Sequence, residues 1–320
     1  MKAVRFYEHG DPGVLRYEEV PEPVPGPGQV RLRVAGTTFN GVDANIRAGA
    51  MQGPMPVTLP HVPGVDVAGT VEALGEGVTR VAVGDQVVGF LPFTADGASA
   101  EQVLAPADVL APAPTTLPLA DAAAMPVVAL TAWQSLVEHA GLRAGQRVLV
   151  SGAGGAVGGY AVQIAHALGA NVVATAAPGS RERLLARGAD EVVDRTRTTP
   201  AEALTEPVDV VLNLAPLDPA ALGDLVGLVR DGGVVVSTTV WLPTPGDEAR
   251  GVRAVDVYVR SDAAQLADLT ARVDRGELVV DVAERVPLSD LADVHARAAA
   301  GTLAGKVVVL PPAPGSDGGA

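Results

Sequence analysis

The stretch SGAGGAVGG, residues 151–159, carries five glycines and no charge directly after the apolar run 148–150. The chemistry open to such a run is to bring backbone N–H groups against an anion. Gly152 permits a tight turn, and Gly154 and Gly155 let the main chain approach a pyrophosphate. Ala156 and Val157 open a helix, and Gly158 lets that helix lie close on the strand behind it. The spacing departs from a strict G-x-G-x-x-G, which needs glycine where Val157 stands. Taken alone, the run reads equally as a ligand-free connection. The end of the following strand reads ATAAPGSRERL, with no acid before Glu182. A site for NAD carries Asp or Glu there for the ribose hydroxyls. Ser180, Arg181 and Arg183 instead offer a hydroxyl and two cations where the extra phosphate of NADPH would lie. The same three residues also suit a solvated helix N-terminus.

The elements around this loop give it context. From about residue 119 a helical pattern runs through ADAAAMPVVALTAWQSLVEHAGL, and strands and helices then alternate. The strands are RVLVS, NVVATA, EVVD, VDVVLNLA, GVVVSTT and VRAVDVYV, with helices at 180–187 and 218–229 among those between them. Continuous apolar strands separated by helices predict a parallel sheet covered on both faces, and six in this order predict a doubly wound dinucleotide fold. In the first helix, Val157, Ala161, Ile164 and Leu168 form the stripe expected to face the sheet. Residues 1–115 differ, being rich in Gly and Pro with short alternating segments. QVRLRVAG puts Val30, Leu32 and Val34 on one face and Arg31 and Arg33 on the other, a half-buried strand. VDVAGTVEALG, GDQVVGF and AEQVLAP are further strands. After two more helices, KVVVLP is a strand with no place in a completed parallel sheet, so it is assigned back to the first unit. The tail PAPGSDGGA is expected to lack regular structure.

Bulk properties exclude several functions. A formal charge of −14 opposes binding to a nucleic-acid backbone or an anionic membrane surface. The absence of cysteine removes disulfides, thiolate catalysis and cysteine zinc sites together. MKAVRFYEHG has no long apolar run of the signal-peptide kind, and longer apolar stretches are cut by Gly, Pro or charge. The expectation is a soluble, cytoplasmic protein.

Several segments in combination resemble the medium-chain dehydrogenase/reductase superfamily, specifically its zinc-free quinone oxidoreductase-like branch. They are MKAVRFYEHG, FNGVDANIRAG, PHVPGVDVAGTVEALGEGV, VGDQVVGF, ALTAWQSL, the glycine run with its helix, GADEVVD and AGKVVVL. The resemblance covers nearly the whole chain. It implies an α/β protein with a GroES-like, mostly-β catalytic domain at 1–121 and 262–320. A Rossmann domain with a doubly wound parallel sheet is expected at 122–261, with the active site in the cleft.

In the superfamily's zinc alcohol dehydrogenases a cysteine occupies the place of Asn40, and a His-Glu pair the places of Val65 and Asp66. An amide, a valine and one carboxylate cannot build a tetrahedral zinc site. The implied chemistry is therefore hydride transfer from NADPH, with no metal, to a small-molecule electrophile, a quinone or an α,β-unsaturated carbonyl. Asn40 matches the residue that in zinc-free relatives points at the nicotinamide, where it could donate to a developing oxyanion; capping the helix at 43–47 is its other reading. Thr131 matches a threonine near the nicotinamide, or bonds its own backbone. Lys306 either reaches a cofactor phosphate or simply begins a strand. Asn213 stands where relatives carry a carboxylate near the cofactor, and Gly41 and Asn45 stand where relatives often carry bulky groups. Phe39, Phe93, Trp241 and Tyr258 are candidate pocket aromatics and equally candidate core. Two alternatives remain open: an enoyl-thioester reductase, for which so acidic a chain offers no clear carrier surface, and a non-catalytic NADPH sensor. Relatives of this kind are commonly homodimers, though no run of residues here marks an interface.

Overall fold

The computed structural model describes residues 1–239 and 241–312, so most of the tail expected to lack regular structure lies outside the described residues. Two compact units are present, one formed by Met1–Val127 with the segment returning at Ser261, the other by Val128–Arg260.

The second unit is built on six strands in the spatial order Glu191–Asp194, Asn171–Ala176, Arg147–Ser151, Val208–Asn213, Val229–Ser237, Arg253–Asp256. Every pairing in it is parallel. Counted along the chain the order is 3-2-1-4-5-6, the doubly wound arrangement whose switch point lies between the first and fourth strands. Val148, Leu149 and Val150 are fully buried in the first strand, as a sheet covered on both faces requires. The helix after the glycine run, Ala156–Ala167, is buried at every position from Gly158 to Ala165. The expected stripe is thus too narrow: Val157 and Leu168 are partly exposed, and the helix is wrapped on all sides through its middle. Trp241 and Tyr258, candidate pocket aromatics, are 60% and 68% exposed.

The helical pattern at 119–139 is not one helix. Leu119–Ala122 and Pro126–Trp133 are separate, and a π-helical turn, Gln134–His139, follows. Pro126 has no N–H to continue the first turn, which accounts for the break. The stretch Leu119–His139 is long and apolar enough to cross a membrane by length and composition, and its most apolar window is 83% buried inside the protein, as in a core helix.

In the first unit seven strands form a largely antiparallel sheet. Gln29–Thr38 is its spine, pairing with Asp66–Leu74, with Gln102–Pro106 and with Val307–Leu310. Val30, Leu32 and Val34 are buried in one core cluster, as their alternation predicts. Val307–Leu310 lies between the spine and Glu284–Pro287, so the C-terminal segment completes this sheet.

A second cluster in this unit packs Phe6, Ile46, Leu291 and Val294, with Phe39 and Phe93 against them, which places those two aromatics in core contacts. Here helix Gly41–Ala48 brings buried Arg47 to buried His295 of helix Leu291–Ala299, with Arg47 Nε donating to His295 Nδ1 at 3.3 Å. The Phe39 ring stands edge-on to the imidazole at 4.7 Å between centroids. Burial, helped by the Arg47 charge, pushes the His295 pKa from 6.5 down to about 3. A base whose pKa falls on folding stays neutral in the native state while the unfolded chain takes up its proton below the ordinary value. Its stabilising effect is therefore complete above about pH 6.5 and is lost as pH falls towards 3. The difference in unfolding free energy between wild type and His295→Gln should shrink as urea titrations move from about pH 7 to about pH 4. A difference independent of pH would contradict this linkage.

Candidate active site

The residues singled out in the sequence fall into two groups, one in each unit. In the second unit, Gly152 follows the central strand Arg147–Ser151 at φ 82°, a backbone state that favours glycine. Its Cα faces the chain just beyond the fourth strand, where an added methyl would stand 3.1 Å from Ala215 N. The loop therefore lies at the switch point. Gly155 is the N-cap residue and offers no side chain, so the N–H groups of Ala156, Val157 and Gly158 precede the first intrahelical bond. That bond runs from Gly159 N to Gly155 O at 3.1 Å. Three unfilled donors and the positive end of the helix dipole make an anion seat. Gly158 is required for a different reason: an added Cβ would lie 2.4 Å from Ala153 Cα and from its carbonyl oxygen.

The end of the second strand separates its two arginines. Arg183 donates from Nη2 to Gly154 O at 2.9 Å, and an added Cβ on Gly154 would meet Ser180 Oγ at 3.1 Å. Ser180 and Arg183 are thus gathered at the loop. Arg181 turns away, donating to Val192 O at 2.7 Å on the neighbouring strand. Asn213, fully buried at the end of the fourth strand, donates to Ser237 Oγ at 3.3 Å and Thr239 Oγ1 at 3.2 Å, and accepts from Ala215 N at 3.2 Å. It fixes the turn against which Gly152 packs. Thr131 is buried in helix Pro126–Trp133, just before the π turn.

In the first unit the centre is Asp66, fully buried at the first position of strand Asp66–Leu74. Its Oδ2 accepts from Thr38 Oγ1 at 2.6 Å, Asn40 Nδ2 at 2.9 Å and Lys306 Nζ at 3.1 Å. Its Oδ1 accepts from Val127 N at 2.8 Å. Lys306, for which a phosphate contact was one expectation, directs its buried ammonium into this cluster, to Asp66, to Asn40 Oδ1 at 2.5 Å and to Phe39 O at 3.4 Å. Asn40 does sit at the N-cap of helix Gly41–Ala48, but its side-chain bonds run to Lys306, Asp66 and Thr38. The reciprocal contact comes from Asp43, which accepts from Asn40 N and Gly64 N, each at 2.9 Å. Complete burial, reinforced by the charge of Asp66, pushes the Asp43 pKa up to about 6 against the opposing pull of those two N–H bonds and Lys306.

This donor set does not fit zinc. Asp66 is already compensated by an ammonium, Val65 is buried and apolar, and Asn40 offers an amide. Among the described residues no three His, Cys, Asp or Glu side chains gather as a metal site. In the sequence Asp66 reads only as a deficient metal ligand, and nothing there singles out Thr38. The available signal was an acid opening an otherwise apolar strand, a placement that demands partners.

Known proteins share both halves. The family model for the alcohol dehydrogenase GroES-like domain matches residues 26–115, and that for zinc-binding dehydrogenases matches residues 187–309. Quinone oxidoreductase of Mus musculus is 36% identical over 245 residues, covering 74% of this chain and 72% of that protein. The chloroplast envelope quinone oxidoreductase homolog of Arabidopsis thaliana is 37% identical over 213 residues, covering 65% of this chain and 64% of its own length. Among solved structures, the quinone oxidoreductase from Coxiella burnetii superposes with a TM-score of 0.88 at 27% identity, covering 97% of this chain and 99% of that one. An NAD-dependent alcohol dehydrogenase gives 0.88 at 30% identity with the same coverage. The chain belongs to the medium-chain dehydrogenase/reductase superfamily, with quinone oxidoreductases among its relatives. The alignment spans 64% of the length of the Arabidopsis thaliana relative, and the family is one of oxidoreductases that bind nicotinamide dinucleotides.

The contact at Gly158 gives a direct check on the loop. Gly158→Ala should lower stability by roughly 1–3 kcal/mol in urea unfolding, because the methyl meets backbone that cannot rotate away. Wild-type stability in that variant would mean the helix does not pack as closely as described.

Proposed function

We propose that the protein is a metal-independent reductase that uses NADPH to deliver hydride to a quinone or an α,β-unsaturated carbonyl. The observation that carries this reading is the Lys306 ammonium on Asp66 and Asn40, two of the positions at which the resemblance puts the zinc relatives' cysteine and His-Glu pair. Without a Lewis acid, reversible alcohol oxidation is disfavoured, and an acceptor that is already electrophilic is the matching substrate. Bound NADPH supplies the hydride. The glycine loop and the open first turn of helix Ala156–Ala167 hold the pyrophosphate. Ser180 and Arg183 take the 2′-phosphate, a role for which no acid competes at the end of that strand. Asn213 keeps the adjoining turn in place, Thr131 lies by the nicotinamide, and Asn40 donates a hydrogen bond to the acceptor oxygen as charge builds on it. The proton that completes reduction comes from solvent. A cytoplasmic setting belongs to the same proposal.

A panel of enones, enals and quinones tests the activity through NADPH oxidation. Turnover of at least one acceptor is expected, while tight NADPH binding without turnover would identify a sensor. Cofactor choice is tested by separating the arginines. Arg183→Ala should raise the KM for NADPH by roughly 10-fold or more and leave that for NADH unchanged, as loss of one charge-assisted hydrogen bond predicts. Arg181→Ala should leave both near wild type. Equal losses for the two cofactors in Arg183→Ala would remove the 2′-phosphate role.

A further inference from the structure

Charge balance alone does not explain how Lys306 is placed. Its ammonium approaches the Asn40 amide oxygen at 2.5 Å, closer than the Asp66 carboxylate at 3.1 Å. The two charged neighbours also leave no choice in how the amide is oriented: the ammonium requires an acceptor, Oδ1, and the carboxylate requires a donor, Nδ2. The plane of the amide is therefore fixed at both ends. One Nδ2 hydrogen is held by Asp66 at 2.9 Å. Thr38 Oγ1, whose own proton is committed to Asp66 at 2.6 Å, lies on the same side of Nδ2 at 3.3 Å and shares that hydrogen, so the second hydrogen points away from both. Thr38, Asp66 and Lys306 are all buried, whereas Asn40 is partly exposed. The amide is thus the member of the cluster that a substrate can reach.

We propose that Lys306 is a positioning residue for reduction: it polarises and orients the Asn40 amide, so that the second N–H, turned away from Asp66 and Thr38, presents the effect of a buried positive charge to the acceptor's carbonyl oxygen. The inference rests on the reductase reading and narrows the acceptor to compounds in which an oxygen gains negative charge as hydride arrives. A cation drawing density from Oδ1 makes the N–H a stronger donor, and in a low-dielectric setting the effect is amplified. Lys306 forms no covalent bond to substrate and gives up no proton. Thr38 and Asp66 serve the same end, holding the amide edge while the ammonium acts on its oxygen.

The test combines turnover with a spectroscopic readout that needs no activity. The chain has four asparagines, Asn40, Asn45, Asn171 and Asn213, so selective ¹⁵N labelling gives four side-chain amide signal pairs. In Lys306→Met the Asn40 pair should shift and exchange faster with solvent. The kcat should fall on the order of 10-fold or more, with the KM for NADPH unchanged. Lys306→Arg should recover part of the loss. Because Lys306→Met leaves Asp66 unpaired and can unfold, the neutral double variant Lys306→Met/Asp66→Asn supplies a folded background, in which stability returns and kcat stays low. Recovery of stability and kcat together would show that Lys306 only balances charge, and would overturn the proposal. If the wild type reduces no acceptor, the reductase reading falls and takes the role in reduction with it. With an active wild type, displaced Asn40 signals together with the lowered kcat support the proposal, and unmoved signals overturn it while the reductase reading stands.

Discussion

A carboxylate with no exposure to water must be met on every side, and Asp66 is met by four donors drawn from distant parts of the chain. Thr38 and Asn40 come from the end of the spine strand and the turn after it, Val127 from the start of helix Pro126–Trp133, and Lys306 from the entry to the last strand. Removing a partner from such a buried pair costs roughly 3–5 kcal/mol, because the remaining charge stays in low dielectric. The first unit is thereby bound to a chain order in which the C-terminal segment returns to finish its sheet. Strand Val307–Leu310 pairs with Gln29–Thr38 in antiparallel register, Val308 opposite Thr38, and that register sets Lys306 beside Asp66.

The same constraint shapes the chemistry. In the proposed mechanism the ammonium on Asp66 and Asn40 takes the electrostatic part that zinc would play, but it cannot bind an alkoxide directly. Its influence passes outward through a neutral amide. Such a site suits an acceptor that already draws electrons. The second unit needs no comparable ion pair at its loop, because unfilled N–H groups and the helix dipole supply the positive end.

Much of this was legible in residue order. The six parallel strands and the tight glycine turn into helix Ala156–Ala167 follow from apolar runs, glycines and alternation, since those signals are local. The two arginines after the second strand were not separable, because residues two apart on a helix face different directions. One reaches the glycine loop and the other the next strand. Asn40 looked like either a cap or a donor. It stands at the cap position with its side chain turned away, a distinction that depends on Lys306, 266 residues later in the chain. No local pattern encodes a contact of that span. The narrowness of the predicted stripe on helix Ala156–Ala167 has a similar cause, as burial on the outer face depends on elements that periodicity cannot see.

The central claim is that a buried ammonium, and no metal, stands behind the reacting end of the substrate. Its most direct test is NADPH-driven reduction of a responsive enone or quinone by protein exhaustively treated with a strong chelator and checked for residual metal. An unchanged rate is predicted, with no gain when zinc is restored. Loss of activity on chelation and its recovery with zinc would contradict the account.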